Sequence, residues 1–299
     1  MPETATKASS LNSPFTIKSM LVPLLTRPRV AQFVKWSVYT LLTVNFFFYF
    51  YDDFTVYKAA VANDAPWSEF FVSFATTIDV VAWLGLVYIF ELETYVLTDE
   101  DLTGKLPWIL RMFRVACYLL IFYAAYGYTE NTLDNYATVE VAGLTDLCQV
   151  ADQGQSLQLS VIEFVEITSA NCSTISAGPP YYRIDINVSL IDAPTLDHVQ
   201  KLGWPDISNA LAWLVIVFLI ELEVWLQEAD RFGSRALKLT RQVKTGFYLV
   251  LLLNVVIWIA TGYGLWAYDS LLWIVGFWAI ELNLAEWEQE RVQELSTAG

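Results

Sequence analysis

The chain has 299 residues, of which 56% are hydrophobic, 15% aromatic and only 16% charged, with a formal net charge of −15. A soluble domain carries about a quarter charged residues, so the composition points to a polytopic membrane protein with the lipid bilayer as its first partner. The acidic balance argues against a nucleic-acid partner.

Taken in chain order, the first 30 residues are polar and rich in Ser, Thr and Pro, and are expected to form a loosely ordered tail. Crossing a bilayer takes about 20 apolar residues. Stretches of that kind are expected at 31–51, 70–90, 108–128, 207–227, 245–267 and 270–287. The layout is therefore a tail at 1–30, three helices within 31–128, an insertion at 129–205, three helices within 206–288 and a second tail at 289–299. The expected fold is all-α: six transmembrane helices as three repeated antiparallel hairpins, with a small external α/β or β-containing insertion.

Lysine and arginine set the orientation. Residues Lys7, Lys18, Arg27, Arg29, Lys35, Lys105, Arg111, Arg114, Arg231, Arg235, Lys238, Arg241, Lys244 and Arg291 fall on one side of this layout. Only Lys58, Arg183 and Lys201 fall on the other. Both termini are expected in the cytoplasm of a plasma (inner) membrane.

The hairpins share a signature. The returning helices read Asp79…Trp83…Glu91, Asn209…Trp213…Glu221 and Asp269…Trp273…Glu281. Residues four apart share one helix ridge, so each Asp/Asn, Trp and Glu lies on one face. The acid or amide sits at the external end, and the Glu lies about 18 Å further in. The outgoing helices also repeat: Lys35-x3-Tyr39-x5-Asn45 matches Lys244-x3-Tyr248-x5-Asn254, and Arg114-x3-Tyr118-x5-Ala124 keeps the first two elements. Recurrence of both halves indicates a triplicated two-helix unit.

Two roles fit the glutamates, because an ionisable residue inside a membrane helix marks a paired site or a pathway. As clasps, Glu91, Glu221 and Glu281 would pair with Lys35, Arg114 and Lys244, each cation lying at similar depth on the same hairpin. As a pathway, the three glutamates would converge on an axis to handle cations or protons, with Asn45 and Asn254 adding amide oxygens and Asp79, Asn209 and Asp269 forming the external end. The Trp set reads as packing anchors.

The insertion is acidic, and Cys148 and Cys172 within it are expected to form a disulfide; Cys117 reads as a packed apolar residue. Strands are expected over Val161–Ile167 and Tyr182–Val188, with a turn at Gly178-Pro179-Pro180 between them.

Enzyme signals are thin. The single histidine, His198, excludes multi-His centres, and no phosphate loop, dinucleotide fingerprint or CxxC is present. No cofactor is expected, and the metal question is left open. Three hairpins in a chain this size are similar in layout to the mitochondrial carriers, but the proline–acid–basic motif of that family is missing. Prolines 66, 107 and 205 are read as lying at or before helix starts, which predicts unbroken helices and a rigid bundle. The expected function is a cation- or proton-handling channel or transporter. The alternative is a scaffold, sensor or accessory subunit of a homo-oligomer or larger membrane complex.

Overall fold

The computed structural model describes residues 28–60, 67–98, 104–184, 188–228 and 235–278. Four long helices frame it: α1 (Pro28–Ala60), α4 (Leu106–Tyr136), α5 (Ala193–Glu228) and α6 (Arg235–Thr261). Between α1 and α4 lie α2 (Trp67–Ser73) and α3 (Ala75–Glu91), the latter running into a π-helical turn at Leu92–Val96. A last helix, α7, covers 264–278. Five short strands stand between α4 and α5: β1 (Val139–Glu140), β2 (Ser156–Gln158), β3 (Phe164–Glu166), β4 (Tyr181–Arg183) and β5 (Ser189–Asp192). The tails and Glu281 lie outside the described residues.

Helices α4, α5 and α6 are each long and apolar enough to cross a membrane, and α2 with α3 qualifies as a pair bent by 63°. Of their apolar windows, only 22%, 28% and 28% is buried within the protein. The rest faces outward, as lipid contact requires. Six such stretches were expected. Helix α1 does not meet the same test, because its apolar run owes much to Tyr, Trp and Phe and is flanked by Lys35, Asp52, Asp53 and Lys58. Helix α7 reaches the edge of the described residues.

The bundle is not unbroken. Helix α3 starts after a break at Phe74, where the Asp53 carboxylate accepts hydrogen bonds from Thr77 N (2.8 Å) and Thr77 Oγ1 (2.7 Å). Pro205 lies inside α5, because that helix begins twelve residues earlier than a proline start would place it. The third interruption is the turn between α6 and α7, expected at 268–269 but found at 262–263. Gly262 has φ +91°, and Tyr263 N bonds to Trp258 O (2.8 Å) while Gly262 N bonds to Ile259 O (3.3 Å). That is a Schellman cap on α6. Each interruption falls within seven residues of Asp79, Asn209 or Asp269.

One core joins the helices: Leu42 of α1, Trp83 and Val87 of α3, Ile121 of α4, Ile216 of α5, Leu251 of α6 and Trp273 of α7. Gly203 brings α4 and α5 close, since a Cβ there would collide with the Thr132 side chain.

The strands form one mixed sheet in the order β1-β4-β5-β2-β3. Strands β2 and β5 pair in parallel and the other neighbours are antiparallel. Strand β5 is central and buried throughout, as Leu190 and Ile191 suggest. The strand expected over 182–188 meets β4 at Tyr182 and Arg183 and stops short of β5, with residues 185–187 outside the described set. Leu147, Leu157, Ile167, Tyr181 and Leu190 form the cap's own core. The cap is tied to the helices by Ser156 Oγ donating to Ala59 O (2.7 Å) and Val161 N donating to Tyr263 Oη (3.3 Å). At its exit, Asp192 accepts from Thr195 N, Ala177 N and Ser176 Oγ. Burial pushes this carboxyl up, but these donors outweigh it and hold it below the usual carboxylate range.

Cys148 and Cys172 are disulfide-bonded across a separation of 24 residues. Closing a loop of that length stabilises by about 3 kcal/mol through the unfolded chain. Cys148→Ser is expected to make the cap open to protease at conditions where the wild type resists. Equal resistance with and without reductant would contradict that role.

Candidate functional site

The inner glutamates do not behave as one set. Glu91 is buried and accepts from Lys35 Nζ (2.7 Å) and Tyr39 Oη (2.8 Å), both on α1. Glu221 is exposed and accepts from Tyr118 Oη at 3.2 Å. Arg114 does not reach Glu221; it pairs with Glu93. Lys244 pairs with Glu223, which also faces Arg241 Nε at 3.6 Å. The expected Arg114–Glu221 clasp is therefore corrected, and Lys244 is engaged by an acid of the preceding helix. The physical reason is connectivity. The start of α4 stands beside the end of α3, and the start of α6 beside the end of α5, so the second acid two residues on faces the following helix. Lys35 instead pairs with Glu91 at the end of α3.

Lys35→Met leaves the buried Glu91 carboxylate without its cation, which costs about 2–3 kcal/mol. The variant is expected to melt earlier in detergent, and Lys35→Met/Glu91→Gln to recover most of the loss. A single variant as stable as wild type would contradict the clasp.

The aspartate pole is different. A cavity of about 100 Å³ lies in the cap-side half of the bundle, and Asp79, Asn209 and Asp269 all line it. So do Trp83, Trp213 and Trp273. Two further sets of residues at matching offsets join them, neither anticipated from sequence. One is the aromatic four residues beyond Asn45, Ala124 and Asn254: Tyr49, Tyr128 and Trp258. The other lies three residues before each Asp/Asn: Thr76, Asp206 and Trp266. The signal for both was the same register carried one turn further along each helix. Val80, Ser270 and Phe277 complete the wall.

The floor is aromatic. Trp83 has ring centroids 6.2 Å from Trp213 and 6.0 Å from Trp273, and Phe277 packs on all three indoles at 5.0–6.2 Å. The expected packing role of the Trp set is thus combined with a place in the cavity wall.

Hydrogen bonds tie the walls together in three pairs of helices. Tyr128 Oη of α4 donates to Asp79 Oδ2 of α3 (3.3 Å). Asn45 Nδ2 of α1 donates to Asp269 Oδ1 of α7 (2.9 Å). Asn254 Nδ2 of α6 donates to Ser208 Oγ of α5 (3.0 Å). Asn45 and Asn254 therefore serve the aspartate pole, not the glutamates as expected from sequence, because each lies ten residues beyond Lys35 or Lys244 along its helix.

Among the described residues three polar atoms of the lining have no hydrogen-bond partner: Asn209 Oδ1, Ser270 Oγ and Trp258 Nε1. Among the described residues no lysine, arginine or histidine lines the cavity, although three carboxyls, Asp79, Asp206 and Asp269, do. Burying carboxylates without compensation is costly, so the site calls for positive charge from protons or a cation.

A second cavity, of about 190 Å³, lies between the helices and the cap. It shares Thr76, Tyr128, Asp206 and Trp266 with the first and adds Asp53, Glu69 and Asp134. It too has no basic side chain among the described residues of its wall. Among the described residues no group of three His, Cys, Asp or Glu side chains is placed to hold a metal ion.

A scan against protein-family models matched none, and searches of curated proteins and of solved structures returned no significant match.

Proposed function

We propose that this chain is a six-span protein of a plasma-type membrane, built as three repeated hairpins with both termini cytoplasmic, that handles cations or protons through its cap-side cavity. One observation carries this reading: equivalent positions of all three repeats supply one cavity that holds three carboxyls and, among the described residues, no base. The acidic second cavity between cap and helices gives positive charge a favourable approach. The Trp83–Trp213–Trp273 layer closes the far side, so the site faces the cap. The inner acids Glu91, Glu93 and Glu223 act as clasps that fix the helices which present the site. The break at Phe74 and Pro205 in α5 place irregular backbone beside a cavity, where membrane helices tolerate it.

Tryptophan emission of the protein in lipid vesicles tests this, because five indoles line the cavity. Titration with monovalent cations is expected to change it saturably in wild type and in Glu221→Gln, and not in Asp79→Asn/Asp269→Asn. A response lost in Glu221→Gln but kept in the aspartate variant would return the site to the inner pole.

A further inference from the structure

Resting on that reading, we infer that the cavity's ligand is a small primary ammonium ion. Its charge is met by Asp79 and Asp269 and its body by the indole floor. The volume of about 100 Å³ is well above the 10–15 Å³ or so that one water needs, so the space suits a small organic cation better than a bare ion. Each of the two carboxylates is already held by a donor, Asp79 by Tyr128 and Asp269 by Asn45. No carboxylate cage for a metal forms among the described residues. Indole rings attract organic ammonium ions directly, and Trp83, Trp213 and Trp273 all line the cavity.

The partnerless atoms decide the class of ammonium. Ser270 is only 4% exposed, yet its Oγ has no partner, and Asn209 Oδ1 has none either. A buried acceptor normally has a donor. A primary ammonium brings three N–H groups, enough for Ser270, Asn209 and one carboxylate. A quaternary ammonium brings none. Trp258 Nε1, the third partnerless atom, is itself a donor and lies beside the Asp206 carboxyl, so it takes no part in holding the ammonium.

Calorimetric titration of the full chain in detergent separates the cases, using methylammonium, tetramethylammonium and sodium chlorides. Methylammonium is expected to bind saturably, and tetramethylammonium and sodium about tenfold more weakly or worse, because the missing N–H bonds to buried acceptors are costly. Ser270→Ala, a small change that preserves packing, is expected to narrow the gap between the two ammonium ions. Tetramethylammonium binding as tightly as methylammonium would overturn the primary-ammonium assignment. Tight sodium binding without methylammonium binding would overturn the ammonium class and leave the cation reading standing. Absence of binding by all three would overturn both.

Discussion

Trp83→Ala is expected to destabilise the bundle by about 3–5 kcal/mol, the range for emptying a buried Trp site. Trp83 is 7% exposed and is the one member of the floor in ring contact with Trp213, Trp273 and Phe277 alike. Between membrane helices the loss is mainly of packing contacts, since lipid is as apolar as the protein interior. Two of the three return helices, α5 and α7, meet α3 at this ring, so the vacancy cannot close without moving all three. Thermal unfolding in detergent measures this. Trp83→Phe, which keeps a ring in place, is expected to fall between Trp83→Ala and wild type. An alanine variant that melts with the wild type would show that the floor does not hold the helices together.

Asp79→Asn/Asp269→Asn is expected to weaken cation binding by about tenfold or more, since a charge-assisted contact contributes about 1.5–3 kcal/mol and the second carboxylate's charge is lost with it. The amides are isosteric with the acids. Asn can still accept from Tyr128 and from Asn45, so both ties across the cavity wall are kept. Removing two carboxylates from a cavity whose described walls hold no base also relieves a desolvation cost. The double variant is therefore expected to be at least as stable as wild type while losing its ligand. Loss of both properties together would point to a purely structural role for the aspartates.

The return-helix ridge was legible because helical periodicity fixes which residues share a face. Asp79, Trp83 and their counterparts needed only their spacing. The disulfide was legible from two cysteines alone in one external segment. Depth was legible too, since the rise per residue is constant. What the ridge did not contain was azimuth between helices. Arg114 lies at the right depth for Glu221, but Glu93 on the preceding helix is nearer, and only packing decides that. The glutamates drew attention because charge inside an apolar run is conspicuous in a sequence. The aromatic partners of the cavity, Tyr49, Tyr128 and Trp258, were hidden among the many rings of an aromatic-rich chain, although they repeat with equal regularity. Helix interruptions were misplaced for a similar reason: Pro205 reads as a start signal unless α5 is known to begin at Ala193, and Thr261-Gly262 is short beside the apolar run that contains it.

The central claim is a location: positive charge is held at the aspartate pole, above the Trp layer, and not at the glutamates. Rubidium, a monovalent cation close to ammonium in size, can be soaked into crystals of the protein and found by its anomalous scattering. The account predicts a peak in the cap-side cavity within coordinating distance of Asp79 or Asp269, absent from Asp79→Asn/Asp269→Asn crystals. A peak beside Glu91 or Glu221, or a cavity that stays empty at saturating rubidium, would contradict it.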